Sequence, residues 1–227
     1  MANLVAATAF FLLIHLLVSG TRVRDAITGV IGEGPYMGLF SAASLAGLAW
    51  MIVAFGGARG GAAWWDATPA TRLVQLGLTL VAFVFIVIGV TTRNPTSVRQ
   101  EAALQQGDVV RGMLRITRHP FLWGVALWAA GHLMVNGDAA GLILFGSLLA
   151  LAVAGTFSID AKRRRKQGAA WDRFAAETSN VPFAAIAAGR QSLRLGEIGW
   201  WRMGLGVVIW AALAWAHPWL FGVRALP

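Results

Sequence analysis

Cysteine is absent from this chain of 227 residues, and acidic residues are scarce, with 10 Asp and Glu against 19 Lys and Arg. The absence of cysteine excludes disulfide bonds, thiolate metal sites and cysteine nucleophiles. Charged residues make up only 13% of the chain, whereas hydrophobic residues make up 57%. Because soluble domains carry roughly twice that charged fraction, the composition excludes an ordinary water-soluble fold.

Long apolar runs take the place of the missing charge. A bilayer core of ~30 Å is crossed by about 20 helical residues, and six runs approach that length. The predicted spans are Leu4–Gly20, Tyr36–Phe55, Leu73–Thr91, Pro120–Val135, Ala139–Phe157 and Met203–Phe221. The expected fold is all-α, a polytopic transmembrane helical bundle that forms a single membrane domain over 1–227, with cytoplasmic or interfacial segments near 93–118 and 158–202.

The turn between the fourth and fifth spans is very short. Asn136, Gly137 and Asp138 are turn-forming residues that leave no room for a longer connection. We therefore expect these two spans to be adjacent and antiparallel. After the fifth span we expect one helix to continue through SIDAKRRRKQGAAWDRFAAE (158–177), which contains the basic run KRRRK at 162–166, with Trp171 and Phe174 turned back toward the membrane.

The basic residues are distributed unevenly among the predicted loops. If the six spans alternate in direction, loops 21–35, 92–119 and 158–202 hold 16 of the 19 Lys and Arg. The positive-inside rule places these loops in the cytoplasm and both termini outside. KRRRK is then a topology anchor near anionic lipid headgroups, so the expected partner is the lipid bilayer and not a nucleic acid.

Four histidines are the only ionisable side chains at or inside the predicted span limits: His15, His119, His132 and His217. An ionisable residue in a membrane either serves a function or forms a hydrogen bond with a neighbouring helix. His15 and His119 both lie near the cytoplasmic ends of their spans, whereas His132 and His217 lie in the outer half. Depth therefore pairs His15 with His119.

Cations accompany only the first pair. Arg22 follows His15 by seven residues, on the same face if the helix continues, and Arg115 and Arg118 flank His119. Two imidazoles with arginines at the water edge suit a haem, because histidine is an axial ligand and guanidinium groups bind propionates. Zinc is less suitable because it prefers three or four ligands. Acid–base catalysis by a single histidine stays open, as does a purely structural role for the rings.

Three stretches carry a resemblance to a known family: LLIHLLVSGTRVRDAI, GMLRITRHPFLWGVALWAAGHLMVNGD and TSNVPFAAIAAGRQ. They resemble the NnrU family of bacterial membrane proteins, which has a plant carotene isomerase among its relatives. The resemblance implies a multi-pass protein of the bacterial inner membrane that holds haem b iron between His15 and His119, the expected catalytic residues. His132 is implied as a supporting or alternative ligand. The residues expected to contact the haem propionates are Arg22, Arg118 and Arg190.

The function that this resemblance implies is a haem-dependent cis–trans isomerisation of a carotenoid-like polyene taken from the lipid. One alternative is a non-catalytic accessory protein in nitrogen-oxide respiration (denitrification). Another is an S-adenosylmethionine-dependent methyltransferase, because isoprenylcysteine methyltransferases also carry an Arg-His-Pro motif, here Arg118 to Pro120. Those enzymes carry paired glutamates where this chain has Asp160 and Ala161.

Overall fold

The computed structural model describes residues 1–105 and 108–226, and this part of the chain is helical and contains no strand. The long helices are α1 (Ala2–Leu13, extended by a π-helical turn over Ile14–Ser19), α3 (Glu33–Gly56), α4 (Pro69–Thr91), α6 (Pro120–Val135), α8 (Ser147–Gln167) and α11 (Trp200–Phe221). The short helices are α2 (Val23–Ile31), α5 (Met113–Ile116), α7 (Ala139–Gly141), α9 (Ala169–Glu177) and α10 (Ala184–Ala187). A second π-helical turn, Leu142–Gly146, joins α7 to α8.

The predicted membrane bundle is confirmed. Five helical segments in the described residues are long and apolar enough to span a membrane, and α6 adds a shorter apolar helix of 16 residues. Many of their large apolar side chains are exposed, among them Leu45, Val53 and Val208. An apolar outer surface is stable against lipid and not against water, so this is a multi-pass membrane protein.

Contacts between loops show that the helices alternate in direction as predicted. At one end, Lys166 Nζ donates to the Asp25 carboxylate (2.9 Å), and Arg115 pairs with Glu197 (2.8 Å). At the opposite end, the Trp64 amide donates to the Gly137 carbonyl (2.9 Å). The first end gathers segments 20–32, 92–105, 108–119 and 168–199 and is called the basic end below. That the basic end faces the cytoplasm remains a prediction.

The short turn between α6 and α7 behaves as the sequence indicates. The Asp138 side chain caps α7 by accepting a hydrogen bond from the Gly141 amide at 2.7 Å. A Cβ at Gly137 would lie 2.1 Å from the Trp65 carbonyl oxygen, so only glycine fits beside that loop. As a result α6 and α8 are antiparallel neighbours.

The helix after the fifth span is shorter than expected. It continues past Phe157 to Gln167, and Gly168 then adopts a φ of +51° that a helix does not allow. The chain restarts as α9, which turns Trp171 and Phe174 inward, where both are buried. The predicted single helix is therefore two helices with a glycine break.

Glycines allow the central helices to approach closely. A Cβ at Gly124 in α6 would lie 2.9 Å from the Ala82 carbonyl oxygen and 2.9 Å from the Ile86 amide nitrogen of α4. A Cβ at Gly89 in α4 would lie 2.5 Å from the Phe121 amide nitrogen. Close backbone approach at small residues is how helices gain packing energy in membranes. This pair of helices positions the residues just before α6.

Gly124→Ala should destabilise the protein, because two of the three obstructing atoms, the Ala82 carbonyl oxygen and the Ile86 amide nitrogen, are backbone and cannot move aside. We expect a loss of about 1–3 kcal/mol in the free energy of unfolding, the usual range for overpacking. Gly77→Ala in α4 is the matched control, since a Cβ added there would meet nothing within 4 Å. Unfolding in a denaturing detergent, followed by circular dichroism, measures both; equal effects would contradict this account of the interface.

Candidate functional site

The strongest polar constellation surrounds Asp160, near the basic end of α8. Its carboxylate lies three residues beyond the predicted limit of the fifth span, Phe157, and its side chain is only 17% exposed. A carboxylate with so little solvent is stable only when donors surround it. Those donors come from two segments that are distant in sequence, one holding Arg118 and His119 and the other holding Asn180.

Arg118 and His119 supply most of the donors. Arg118 Nε lies 3.0 Å from Oδ1 and 3.1 Å from Oδ2 of Asp160, and its Nη2 lies 2.5 Å from Oδ2. His119 Nε2 lies 2.7 Å from Oδ1, and Asn180 Nδ2 donates to Oδ2 at 3.2 Å. Asp160, Arg118, His119 and Asn180 are called the Asp160 cluster below.

The backbone of Asn180 is fixed by two side chains from the α6 side. Trp123 Nε1 donates to the Asn180 carbonyl oxygen at 2.8 Å, and the Thr117 hydroxyl donates to the same oxygen at 2.5 Å. In the reverse direction, the Arg118 amide donates to the Ser179 carbonyl at 2.9 Å. The segments before α6 and after α9 are therefore held against each other.

The segment after α4 also contacts this cluster. Asn94 Nδ2 and the Thr96 hydroxyl both donate to the Arg118 carbonyl oxygen, at 3.0 and 2.8 Å. Both Asn94 and Thr96 are buried. Arg118 also lies over the Trp171 ring, with its guanidinium carbon 5.7 Å from the ring centre. Three loop segments of the basic end thus meet at one arginine.

Proline explains why the His119 ring reaches the cluster. A residue before proline is disfavoured in helical conformation, and His119 has the non-helical angles φ −121° and ψ 53°. Pro120 then starts α6 at a position where its missing N–H costs nothing. The His119 ring leaves the helix axis at this point and is buried, with 2% of the residue exposed.

His15 lies in a different environment at the same end of the bundle. It belongs to the π-helical turn Ile14–Ser19, and its ring centre lies 4.2 Å from that of Phe11 and 5.1 Å from that of Phe40. Tyr36 stacks on Phe40 at 5.9 Å. The ring is half-buried. Turns of π-helix inside longer helices occur frequently at functional positions.

The structure does not bring His15 and His119 into contact through any hydrogen bond or ring pair that it describes. The ring contacts of His15 go to α1 and α3, whereas the ring of His119 bonds to Asp160 in α8. Both residues nevertheless lie toward the basic end. Lys162, two residues after Asp160, donates to the Ser19 carbonyl at 2.8 Å, one helical turn beyond His15.

The two remaining histidines lie toward the opposite end. His132 packs against Trp128 and Phe145, with ring centres 4.4 and 5.0 Å away. His217 bonds through Nδ1 to the carbonyl oxygen of Val223 at 2.8 Å. Neither residue contacts the Asp160 cluster.

Of the three arginines expected to bind propionates, only Arg118 lies in the Asp160 cluster. Arg190 donates through Nη1 to the carbonyl oxygens of Ala176 and Thr178, so it closes the end of α9. Arg22 is exposed and lies just before α2. Its expected place on the same helical face as His15 is wrong, because the first helix ends at Ser19 and a turn at Gly20 and Thr21 separates the two residues.

The histidines differ in which ring nitrogen is available to a metal. Nδ1 of His15 donates to the Phe11 carbonyl at 2.7 Å, and Nδ1 of His132 donates to the Trp128 carbonyl at 2.9 Å. This arrangement leaves Nε2 with its lone pair and is typical of metal-binding histidines. His119 instead uses Nε2 on Asp160, so while that contact holds only Nδ1, the nitrogen next to Cβ, is left for a metal. Within residues 1–105 and 108–226, no group of three or more His, Asp or Glu could hold a metal ion.

Comparison with known proteins identifies the family. The model of the NnrU family, described as NnrU protein, matches residues 3–225. This chain belongs to the NnrU family. No solved structure matches it.

Two curated relatives of this NnrU-family chain carry the same name. The chloroplastic 15-cis-zeta-carotene isomerase of Zea mays is 27% identical over 190 residues, which cover 82% of this chain and 50% of that protein. The chloroplastic 15-cis-zeta-carotene isomerase of Arabidopsis thaliana is 33% identical over 82 residues, 36% of this chain and 22% of that protein. The chain therefore spans about half the length or less of the curated relatives that it matches.

Asp160 is the site residue to which sequence reasoning assigns no role. The predicted span ends at Phe157, which places Asp160 in a solvated basic segment. A carboxylate is common in such a segment and does not indicate a functional site. Its position as the first acid after a long apolar run, in the sequence FSIDAK, is the available signal. Asn180, in the sequence TSNVP, carries no comparable signal.

Removing the charge of Asp160 should destabilise the protein strongly. Asp160→Asn leaves the Arg118 guanidinium without its carboxylate, and breaking a largely buried pair costs about 3 kcal/mol or more in unfolding free energy. Asp172→Asn is the control, because the Arg164–Asp172 pair is 67% and 59% exposed and an exposed pair contributes little. Thermal unfolding in detergent compares them, and an equal shift of the two midpoints would refute the role of the Asp160 cluster.

Proposed function

We propose that this NnrU-family chain is a cis–trans isomerase of a carotenoid-like polyene and that its cofactor is haem b. The observation that carries the proposal is the similarity to the 15-cis-zeta-carotene isomerase of Zea mays, which extends over 82% of the chain. The all-helical membrane fold supports it, since a carotene is soluble only in lipid and reaches its enzyme through the bilayer.

The surroundings of His15 suit such a substrate. Phe11 and Phe40 flank the ring, and the half-buried position leaves part of this patch open at the outer surface of the bundle. Aromatic faces bind flat apolar molecules through dispersion and offset stacking. A polyene can therefore lie against α1 and α3 without a charged contact.

The ligand pair in this proposal is His15 and His119. His15 fits this role as it stands, because the Phe11 carbonyl fixes its tautomer and leaves Nε2 available. The Nε2 of His119 is available to an iron only when Asp160 releases it, so no catalytic step is assigned to that residue. When bound, a haem supplies the electron transfer that weakens a polyene double bond, while the protein orients the substrate.

Turnover tests the enzymatic part of the proposal. We expect purified, haem-supplied and reduced protein to convert 15-cis-zeta-carotene to another geometric isomer, with products separated by liquid chromatography. His15→Ala should lower the rate by more than about tenfold, because it removes a proposed ligand. His217→Ala is the control and should not change the rate. An intact haem spectrum without turnover would leave this chain only a non-catalytic function.

The absorption spectrum tests the cofactor and its ligands separately from turnover. We expect a Soret band in the purified wild type that His15→Ala and His119→Ala each shift or abolish and that His217→Ala leaves unchanged. A folded, haem-supplied preparation without a Soret band would refute haem binding. If His132→Ala changes the spectrum and His119→Ala does not, the second ligand is His132, whose Nε2 is not engaged by Asp160.

A further inference from the structure

A second polar feature of the basic end lies outside the Asp160 cluster. A cavity of about 610 Å³ lies where the end of α4, the loop at 108–112 and the start of α11 meet. Its volume is within the range of small-molecule sites. None of the residues that line it belongs to the Asp160 cluster, and the proposed isomerase function does not use it.

The cavity has an excess of positive charge. Three arginines line it, Arg93, Arg111 and Arg202, together with Asp108 and Glu197. Asp108 pairs with Arg111. Within the described residues, Arg93 and Arg202 form no ion pair with a carboxylate.

Glu197 does not neutralise the two remaining arginines, because other donors already hold it. Arg115 Nε lies 2.8 Å from Oε2 and Arg115 Nη2 lies 3.3 Å from Oε1, while the Gly112 amide donates to Oε2 at 2.9 Å. These hydrogen bonds, that of Arg115 first, lower the pKa of Glu197 to about 2. Its charge at neutral pH is thus matched by Arg115.

Arg202 has donor capacity to spare. Its guanidinium carbon lies 4.8 Å from the centre of the Trp201 ring, and Nη1 makes a long contact of 3.4 Å with the Ile198 carbonyl oxygen. Its Nε is buried and has no hydrogen-bond partner among the described residues. A buried donor without an acceptor is unfavourable, so an anion at this position would be stabilised.

The cavity lies at the level of the lipid headgroups. Arg93 comes two residues after the end of α4, and Arg202 lies in the first turn of α11. Trp200 and Trp201, exposed by 70% and 59%, are typical of side chains at the membrane–water interface. Val109, Met113 and Ile198 give the same cavity an apolar wall. A ligand with a phosphate and an apolar part matches this combination.

We propose that this cavity binds the phosphate of an anionic phospholipid headgroup, with Arg93 and Arg202 as its ligands. Guanidinium groups bind phosphate oxygens through pairs of parallel hydrogen bonds. The glycerol portion contacts the apolar wall, and the acyl chains extend along the outer surface of α11. A soluble phosphate compound could bind the same arginines through its phosphate, but it would not require a site at the edge of the membrane.

Native mass spectrometry of the purified protein, titrated with phosphatidylglycerol or with phosphatidylcholine, tests the proposal. We expect phosphatidylglycerol to bind more tightly than phosphatidylcholine. Arg93→Gln and Arg202→Gln should each weaken that binding by about tenfold, the effect of losing one charge-assisted interaction of about 1.4 kcal/mol. Arg173→Gln, an exposed arginine of α9 at the same end, is the control and should bind as the wild type does.

Two further arms separate the alternatives. Arg93→Lys and Arg202→Lys keep the charge and should retain part of the affinity, which distinguishes phosphate binding from a folding defect. Calorimetry with glycerol phosphate and with inorganic phosphate tests an aqueous source. Binding of these soluble compounds in place of phosphatidylglycerol would overturn the lipid assignment. Equal weakening by Arg173→Gln, or none by either cavity variant, would overturn the site itself.

Discussion

A single carboxylate near the end of a membrane helix determines much of the arrangement at the basic end. Asp160 cannot be left without donors where little water reaches it, and an unpaired charge there would cost several kcal/mol. It receives donors from Arg118, His119 and Asn180, which belong to the segments before α6 and after α9. The carboxylate can be satisfied only when those segments and α8 adopt one mutual position. Three parts of the chain are thus fixed by one side chain.

The same constraint extends outward through the backbone. Once Arg118 is bound to Asp160, its carbonyl oxygen accepts from Asn94 and Thr96, so the segment after α4 is placed as well. The close α4–α6 contact at Gly89 and Gly124 sets the height at which Pro120 starts its helix. Packing among the membrane-spanning parts of the helices, the apolar layer, and hydrogen bonding at the basic end, the polar layer, therefore specify the same relative position of the helices. Agreement between the two layers is what gives a membrane bundle one structure.

The apolar layer can be predicted from the sequence, and the polar layer only in part. Helix length against bilayer thickness is a local property, so the six spans and the turn at Asn136 to Asp138 follow from it within a few residues. The partners of Asp160 depend on how α8 is rotated against α6, which no local pattern encodes. Gly20 and Gly168 illustrate a second limit of prediction from sequence. A glycine in a helical stretch does not by itself show whether the helix ends there, because the contacts made by the residues after it decide this. The predicted relation of Arg22 to His15 is wrong for that reason.

The saturation of Asp160 bears directly on the chemistry of the histidines. A carboxylate has about four acceptor positions, and here they are taken by two nitrogens of Arg118, one of His119 and one of Asn180. Removing the His119 ring from this set leaves three donors in place, so the carboxylate stays paired. The reverse does not hold, because loss of Asp160 would leave Arg118 and His119 without their shared acceptor. His119 can thus leave the cluster while the ion pair of Asp160 with Arg118 stays in place.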